Sequence, residues 1–314
     1  MRLLRHIVLA NVFAAVLLAG VVIAMRPRAV HGGAAVSLGN AVWIGHSWVA
    51  APPTSKALQG LCTMLRVHDL SEIYVHVGPI DGAGRIVEGR DPDAGRFAAA
   101  FHTACPGMRV LAWIGQLLPM WDGLLNLHDD AARTALARTS AHYVDEHFDG
   151  VQYDLEPVTP GDTAFLDLLR RTRAAIGGRW LAVASPALVP SGGLPSLPHL
   201  HLPLTPWPSA YYVSVAALVD EVDPMLYDTS LSDPAAYTAF TAEQARDLIR
   251  SLPGVLIRFG LPAFAGRSAV FDDRVENLSG ALAGIRQALP KETGTAIYAL
   301  WTMTPSQWAV FDRG

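Results

Sequence analysis

The sequence predicts an α/β protein whose main body is a (β/α)8 TIM barrel, preceded by an N-terminal signal or transmembrane anchor helix. Three observations predict it. From Ala41 onward, short apolar runs alternate with longer amphipathic ones, the pattern of repeated βα units around a parallel sheet. Eight of these runs read as near-continuous apolar strands, as strands covered on both faces do. Together they span about 270 residues, close to the roughly 250 of a typical barrel.

The first 28 residues stand apart. Met1 to His6 carries two arginines, an uncharged run extends from Ile7 to Met25, and Arg26-Pro27-Arg28 closes it. Cleaved signal peptides have an apolar stretch of roughly 7 to 15 residues and a bilayer span needs roughly 17 to 25, so this run favours an uncleaved membrane anchor with the following domain outside the cytoplasm. Residues 29–40 read as a linker and 41–314 as the barrel domain. Cys62 and Cys105, the two cysteines, could form a disulfide in such a compartment or remain buried thiols.

The strand candidates are Ala41 to Ile44, Ile73 to Val77, Val110 to Ile114, Gly150 to Glu156, Leu181 to Ala184, Glu221 to Tyr227, Val255 to Leu261 and Ala296 to Trp301. Between them, helices are predicted over Ala131 to Glu146, Thr163 to Ile176, Ala242 to Leu252 and Arg274 to Leu289, with Asp130 and Thr241 as N-caps. The first strand runs into Gly45-His46-Ser47-Trp48 with no G-x-G-x-x-G turn, which argues against a doubly wound nucleotide-binding fold. The Pro-rich stretch Pro186 to Pro208 lengthens the loop after the fifth strand, and the short tail after Trp301 leaves room for a last helix of two or three turns.

A net charge of -4 with interspersed signs gives no electrostatic footprint for nucleic acid. No cofactor is implied. His199 and His201 have ligand spacing but no third ligand near them, and Asn277-Leu278-Ser279 is a glycosylation sequon.

The chemistry concentrates in the fourth strand, Asp149-Gly150-Val151-Gln152-Tyr153-Asp154-Leu155-Glu156. A period of two puts Val151, Tyr153 and Leu155 toward the helices and Gln152, Asp154 and Glu156 into the barrel. Carboxylates there are costly unless paired or used, and acids at the C-terminal end of a barrel strand read as catalytic. Two of them on one face perturb each other, so one holds its proton at a higher pH and can serve as a general acid.

This stretch resembles the D-G-x-D-x-D-x-E signature of glycoside hydrolase family 18, the chitinases and endo-N-acetylglucosaminidases. Asp149, Asp154 and Glu156 match its first, third and last acids, Gly150 its glycine, and Gln152 stands where the second Asp usually lies. Met225, Tyr227 and Asp228 are similar to the sixth-strand M-x-Y-D, and Trp301 resembles the eighth-strand Trp that floors the sugar site. Gln116 makes the third strand only loosely similar to the family's.

The resemblance implies a retaining mechanism in which the substrate's own 2-acetamido group is the nucleophile. Glu156 would protonate the glycosidic oxygen, Asp154 would hold the acetamido N–H, and Tyr227 would donate to the acetamido oxygen. Asp228, Met225 and Gln152 would line the site, Trp301 would stack under the sugar, and Trp48, Trp113 and Trp121 could extend the groove. Gln152 would keep a hydrogen bond to Asp154 while removing a like charge. Pro262 to Asp273 is too short for an added cleft-deepening module, so a shallow groove is expected. The partner is thus a β-linked N-acetylhexosamine glycan; the alternative is a non-catalytic, lectin-like barrel, but such members usually lose the final Glu, which is present here.

Overall fold

A chain that alternates apolar strands with amphipathic helices buries both faces of its sheet by closing it, and the computed structural model has done so. It describes residues 39–189, 206–289 and 294–313. The apolar N-terminal run, the His199/His201 pair and most of the Pro186 to Pro208 stretch lie outside the described residues. Among the described residues, no helix is long and apolar enough to cross a membrane.

The strands are β1 (Asn40–Ile44), β2 (Leu70–Val77), β3 (Arg109–Leu117), β4 (Gly150–Glu156), β5 (Trp180–Ser185), β6 (Glu221–Pro224), β7 (Leu256–Ile257), β8 (Phe259–Pro262) and β9 (Thr295–Tyr298). All pair in parallel, in the order β7-β6-β5-β4-β3-β2-β1-β9-β8. The predicted seventh strand is broken at Arg258 into β7, which pairs with β6, and β8, which pairs with β9. The bridge between Met225 and Gly260 joins the two sides, so the nine segments form eight staves of a closed barrel.

Outside the staves lie α1 (Ser47–Ala50), α2 (Ser55–Val67), α3 (Ala94–Ala104), α4 (Asp130–Asp145), α5 (Thr163–Ile176), α6 (Ser209–Ala216), α7 (Pro234–Ser251), α8 (Leu278–Ala288) and α9 (Pro305–Phe311). Three predicted helix starts are corrected. The cap of α4 is Asp129, whose carboxylate accepts from Ala131 N, rather than Asp130. Helix α7 begins well before Thr241, because Asp233 caps it and Pro234 occupies its first turn, where a missing N–H costs nothing. Helix α8 begins at Leu278, capped by the Asn277 side chain at 3.0 Å from Gly280 N. Cys62 and Cys105 are bonded, joining α2 to the end of α3 with their Cα atoms 5.4 Å apart.

Outward residues such as Val42, Val75, Ile114, Val151 and Val183 pack under the helices in the main core. Inside the barrel, small and large side chains interleave: Ala41, Ala182, Ala184 and Ala296 make room for Trp43, Tyr74 and Trp113. At its base Arg258, 1% exposed, lies between Glu72 and Glu221. Tyr74 and Trp180 each donate to Glu221 at 2.6 Å, and Arg109 donates to Glu72 at 2.6 Å. A buried cation is tolerable only with such paired anions, and this cluster fills the bottom of the barrel so that the open end is the C-terminal one.

Candidate active site

Strand β4 is pinned so that its inward face is fixed. Gly150 lies so close to β5 that a Cβ there would sit 2.0 Å from the Trp180 carbonyl oxygen, which excludes any side chain. On the outward face, the Tyr153 hydroxyl meets Ser140 at 2.7 Å and Thr172 at 2.6 Å, tying the strand to α4 and α5. Asp149 sits at the strand's N-terminal end, accepting from Val110 N at 2.8 Å, away from the barrel mouth.

The three inward polar residues occupy different depths. Gln152 is fully buried, with Trp43 Nε1 donating to its Oε1 at 2.8 Å and its Nε2 donating to Asp223 Oδ2 at 2.6 Å. The indole can only donate, so the amide orientation is fixed. This corrects the expectation that Gln152 hydrogen-bonds Asp154. Its amide is turned instead toward β1 and β6, because Asp223 is a deeper acceptor that burial and the Glu221 charge push well above the usual carboxylate range.

Asp154 stands one pleat higher and accepts from Trp113 Nε1 at 2.9 Å. Its Oδ1 meets no N–H or hydroxyl donor among the described residues; the remaining hydrogen bond to its carboxyl comes from Glu156. Burial pushes Asp154 up to about 6, against the lowering effect of the hydrogen bonds from Trp113 and Glu156. Glu156 is raised well above the carboxylate range, first by burial and then by the charges of Asp154 and Asp228. The pair therefore holds one proton at neutral pH, and it resides on Glu156.

Beyond β6 the chain continues through Met225 and Tyr227 into an unusual turn. Asp228 and Ser230 have φ of 58° and 59°. Buried Glu276 accepts from Thr229 N at 3.1 and 3.2 Å, and Tyr237 donates to the Leu226 carbonyl at 2.7 Å, so the turn is held from α7 and from the loop before α8. Burial raises Asp228 to about 6. Met225 lies below Tyr227 in a small cluster with Phe271.

Tyr298, at the end of β9, joins the two sides. It stacks on Tyr227 with centroids 5.7 Å apart and planes at 22°, and meets Trp43 and Trp113 edge-on at 5.8 and 6.1 Å. Trp301 lies beyond the strand in a short turn, 55% exposed and 5.8 Å from Tyr298. The inward floor position is thus filled by Tyr298, and Trp301 stands at the rim. Trp48 packs against Phe97 at 5.9 Å under α1, on the helix side, rather than along the groove.

A cavity of about 510 Å³ opens at this end, lined by His76, Trp113, Leu117, Asp154, Glu156 and Tyr298 among others. Burial and the neighbouring His46 lower His76 to about 4, so it presents a neutral imidazole, edge-on to Trp113 at 4.7 Å. A larger hollow of about 560 Å³ lies at the opposite end of the barrel beside Asp149 and His102, far from these acids. Among the described residues no three His, Cys, Asp or Glu side chains converge to hold a metal ion. Sequence reading passed over His76 and Tyr298, although both occupy inward positions of their strands, in phase with Tyr74 and Ala296.

The described residues thus form a closed barrel with two acids at the end of its fourth stave and a tyrosine just beyond its sixth strand. Solved structures similar to this one include a chitinase from Chromobacterium violaceum, at 15% identity over 88% of this chain and 98% of that one, with a TM-score of 0.61. The spore cortex-lytic enzyme SleL of Bacillus megaterium is similar at 11% identity over 87% of this chain and 73% of that one, with a TM-score of 0.59. A family GH18 chitinase from Chromobacterium violaceum is similar at 14% identity over 88% and 80%, with a TM-score of 0.52. No family model and no curated protein matches the chain by sequence. At these identities the likeness is one of fold.

Proposed function

We propose that the chain is a retaining glycoside hydrolase acting on a β-linked N-acetylhexosamine glycan by substrate-assisted catalysis. The observation that carries this reading is that Asp154 and Glu156 share the inward face of β4 and line one cavity, with Trp113 donating to Asp154 at 2.9 Å and Tyr227 following β6. Glu156 gives its proton to the glycosidic oxygen as the bond to the anomeric carbon breaks, while the acetamido oxygen attacks that carbon. Asp154, ionised and steadied by Trp113, accepts the acetamido N–H and offsets the charge of the oxazolinium ion that forms. Tyr227, whose hydroxyl burial keeps protonated, donates to the acetamido oxygen and aligns it. Glu156, now a carboxylate, takes a proton from the water that opens the ring. Tyr298 and Trp301 offer aromatic faces to the sugar.

A fluorogenic β-glycoside of an N-acetylglucosamine oligomer tests the reading. Wild type turns it over, and Glu156→Gln lowers kcat by about 10²- to 10⁴-fold while retaining binding. Tight binding by wild type without turnover would instead identify a lectin. The domain acts outside the cytoplasm in this proposal: the apolar run Ile7 to Met25 supports export, and the Cys62–Cys105 bond suits an oxidising compartment.

A further inference from the structure

The wall of the cavity beside Glu156 has a composition that sugar binding does not explain. Leu117 is the register partner of Glu156 across β3 and β4, and it is 46% exposed. Met120 and Leu124, on the loop that follows, are 63% and 77% exposed. Leu117 and Leu124 line the same cavity as the two acids. Three of the seven large exposed apolar side chains among the described residues thus fall within eight positions beside the acid.

The loop is built to hold them there. Leu118 N donates to the Glu156 carbonyl at 2.6 Å, and Leu118 and Leu125 turn inward into the core. Gly123 packs so tightly that a Cβ would lie 1.8 Å from the Leu117 carbonyl oxygen, and one on Gly82 would lie 2.8 Å from that of Leu124. The backbone is fixed by neighbours other than the exposed side chains, so the fold does not need Leu117, Met120 or Leu124 to be apolar. Exposed apolar patches at a cavity mouth mark binding surfaces.

In the strand order β6-β5-β4-β3, Tyr227 and Asp228 follow β6 on one side of Glu156 and Leu117 ends β3 on the other; with the reacting sugar held by Tyr227 in the proposed reaction, the leucine wall faces the departing group. Aliphatic side chains offer no partner to sugar hydroxyls and no flat face for a pyranose ring, but they bury hydrocarbon well. We propose that this wall is a binding site for a hydrocarbon group carried by the departing portion of the substrate. The inference rests on Glu156 as the acid of the proposed reaction, which sets the side from which the group leaves.

The test uses methyl, butyl and hexyl β-glycosides of N,N′-diacetylchitobiose, below the concentrations at which they form micelles. Their leaving alcohols are chemically alike, so chain length changes burial alone. For the wild type, kcat/KM rises about two- to threefold for every two methylenes added, less than full burial would give. Leu124→Ser and the double variant Leu117→Ser with Leu124→Ser bring the hexyl-to-methyl ratio toward one, while Ile249→Ser, an exposed apolar change elsewhere, keeps it. A flat wild-type series, or a slope that survives the double variant, overturns the inference. Loss of a dimer in Leu124→Ser by sedimentation, with the wild-type series flat, assigns the patch to a second copy and overturns it too. Calorimetric binding of the same glycosides separates the two readings. Affinity rising with chain length without turnover supports the wall and sinks the hydrolase; turnover without chain-length dependence does the reverse.

Discussion

Trp113 sets the pH at which Asp154 can work. Burial raises Asp154 to about 6, and the indole N–H acts in the opposite direction by favouring the carboxylate. Because the proposed reaction needs Asp154 ionised and Glu156 protonated, activity should fall as pH drops through about 6. Trp113→Phe keeps the ring and removes the donor, so the acidic limb of the kcat/KM profile moves to higher pH by about one pH unit. A limb that does not move would show that the Trp113 N–H does not set the ionisation of Asp154. The acids themselves were readable because a period of two places them on one face. That Gln152 turns to Asp223, and that Trp113 rather than Gln152 serves Asp154, was not, because strand period gives the side of a residue and not its depth or partner. Tyr298 was legible only by counting phase along β9, where Trp301 drew attention as the larger aromatic.

The Cys62–Cys105 bond clamps the helical layer over β2, since it closes a separation of 43 residues between α2 and the end of α3. In the chain-entropy picture a loop of that size is stabilised by about 4 kcal/mol. Denaturant unfolding with and without reductant should differ by about that amount, and equal midpoints would mean that packing of the buried sulfurs carries the contact. The sequence left this pair open because two cysteines far apart in the chain reveal nothing of their distance in space. Helix starts were misplaced for a different reason: several residues near each end can cap, as Asp129 and Asp130 show, and the choice falls to whichever side chain reaches the first free N–H groups.

The open end of the barrel collects carboxyls whose protons the fold favours. Burial raises Asp154 and Asp228 to about 6 and Glu276 to about 7. Their folded pKa values exceed the unfolded ones, so the native state binds more protons and stability falls as pH rises through the window from about 4 to about 7. Burial also raises Glu221, but Arg258 and hydrogen bonds from Asp223 and Tyr74 bring it down to about 2, so its contribution is lost only in stronger acid. Melting temperature should therefore be highest near about pH 4 and fall by several degrees toward about pH 8. Thermal scans across that range check it, and a Glu276→Gln variant should show a shallower decline.

The sequence by itself determined the barrel, since eight apolar runs at βα spacing leave few other ways to bury two faces of a sheet. It also determined the acid pair, since charge on an inward strand face must be either paired or used. The break at Arg258, the turn held by Glu276, the Tyr298 floor and the leucine wall beside Glu156 were decided only in the tertiary structure. Each depends on which distant staves come to lie side by side, and that register is set by packing rather than by local pattern.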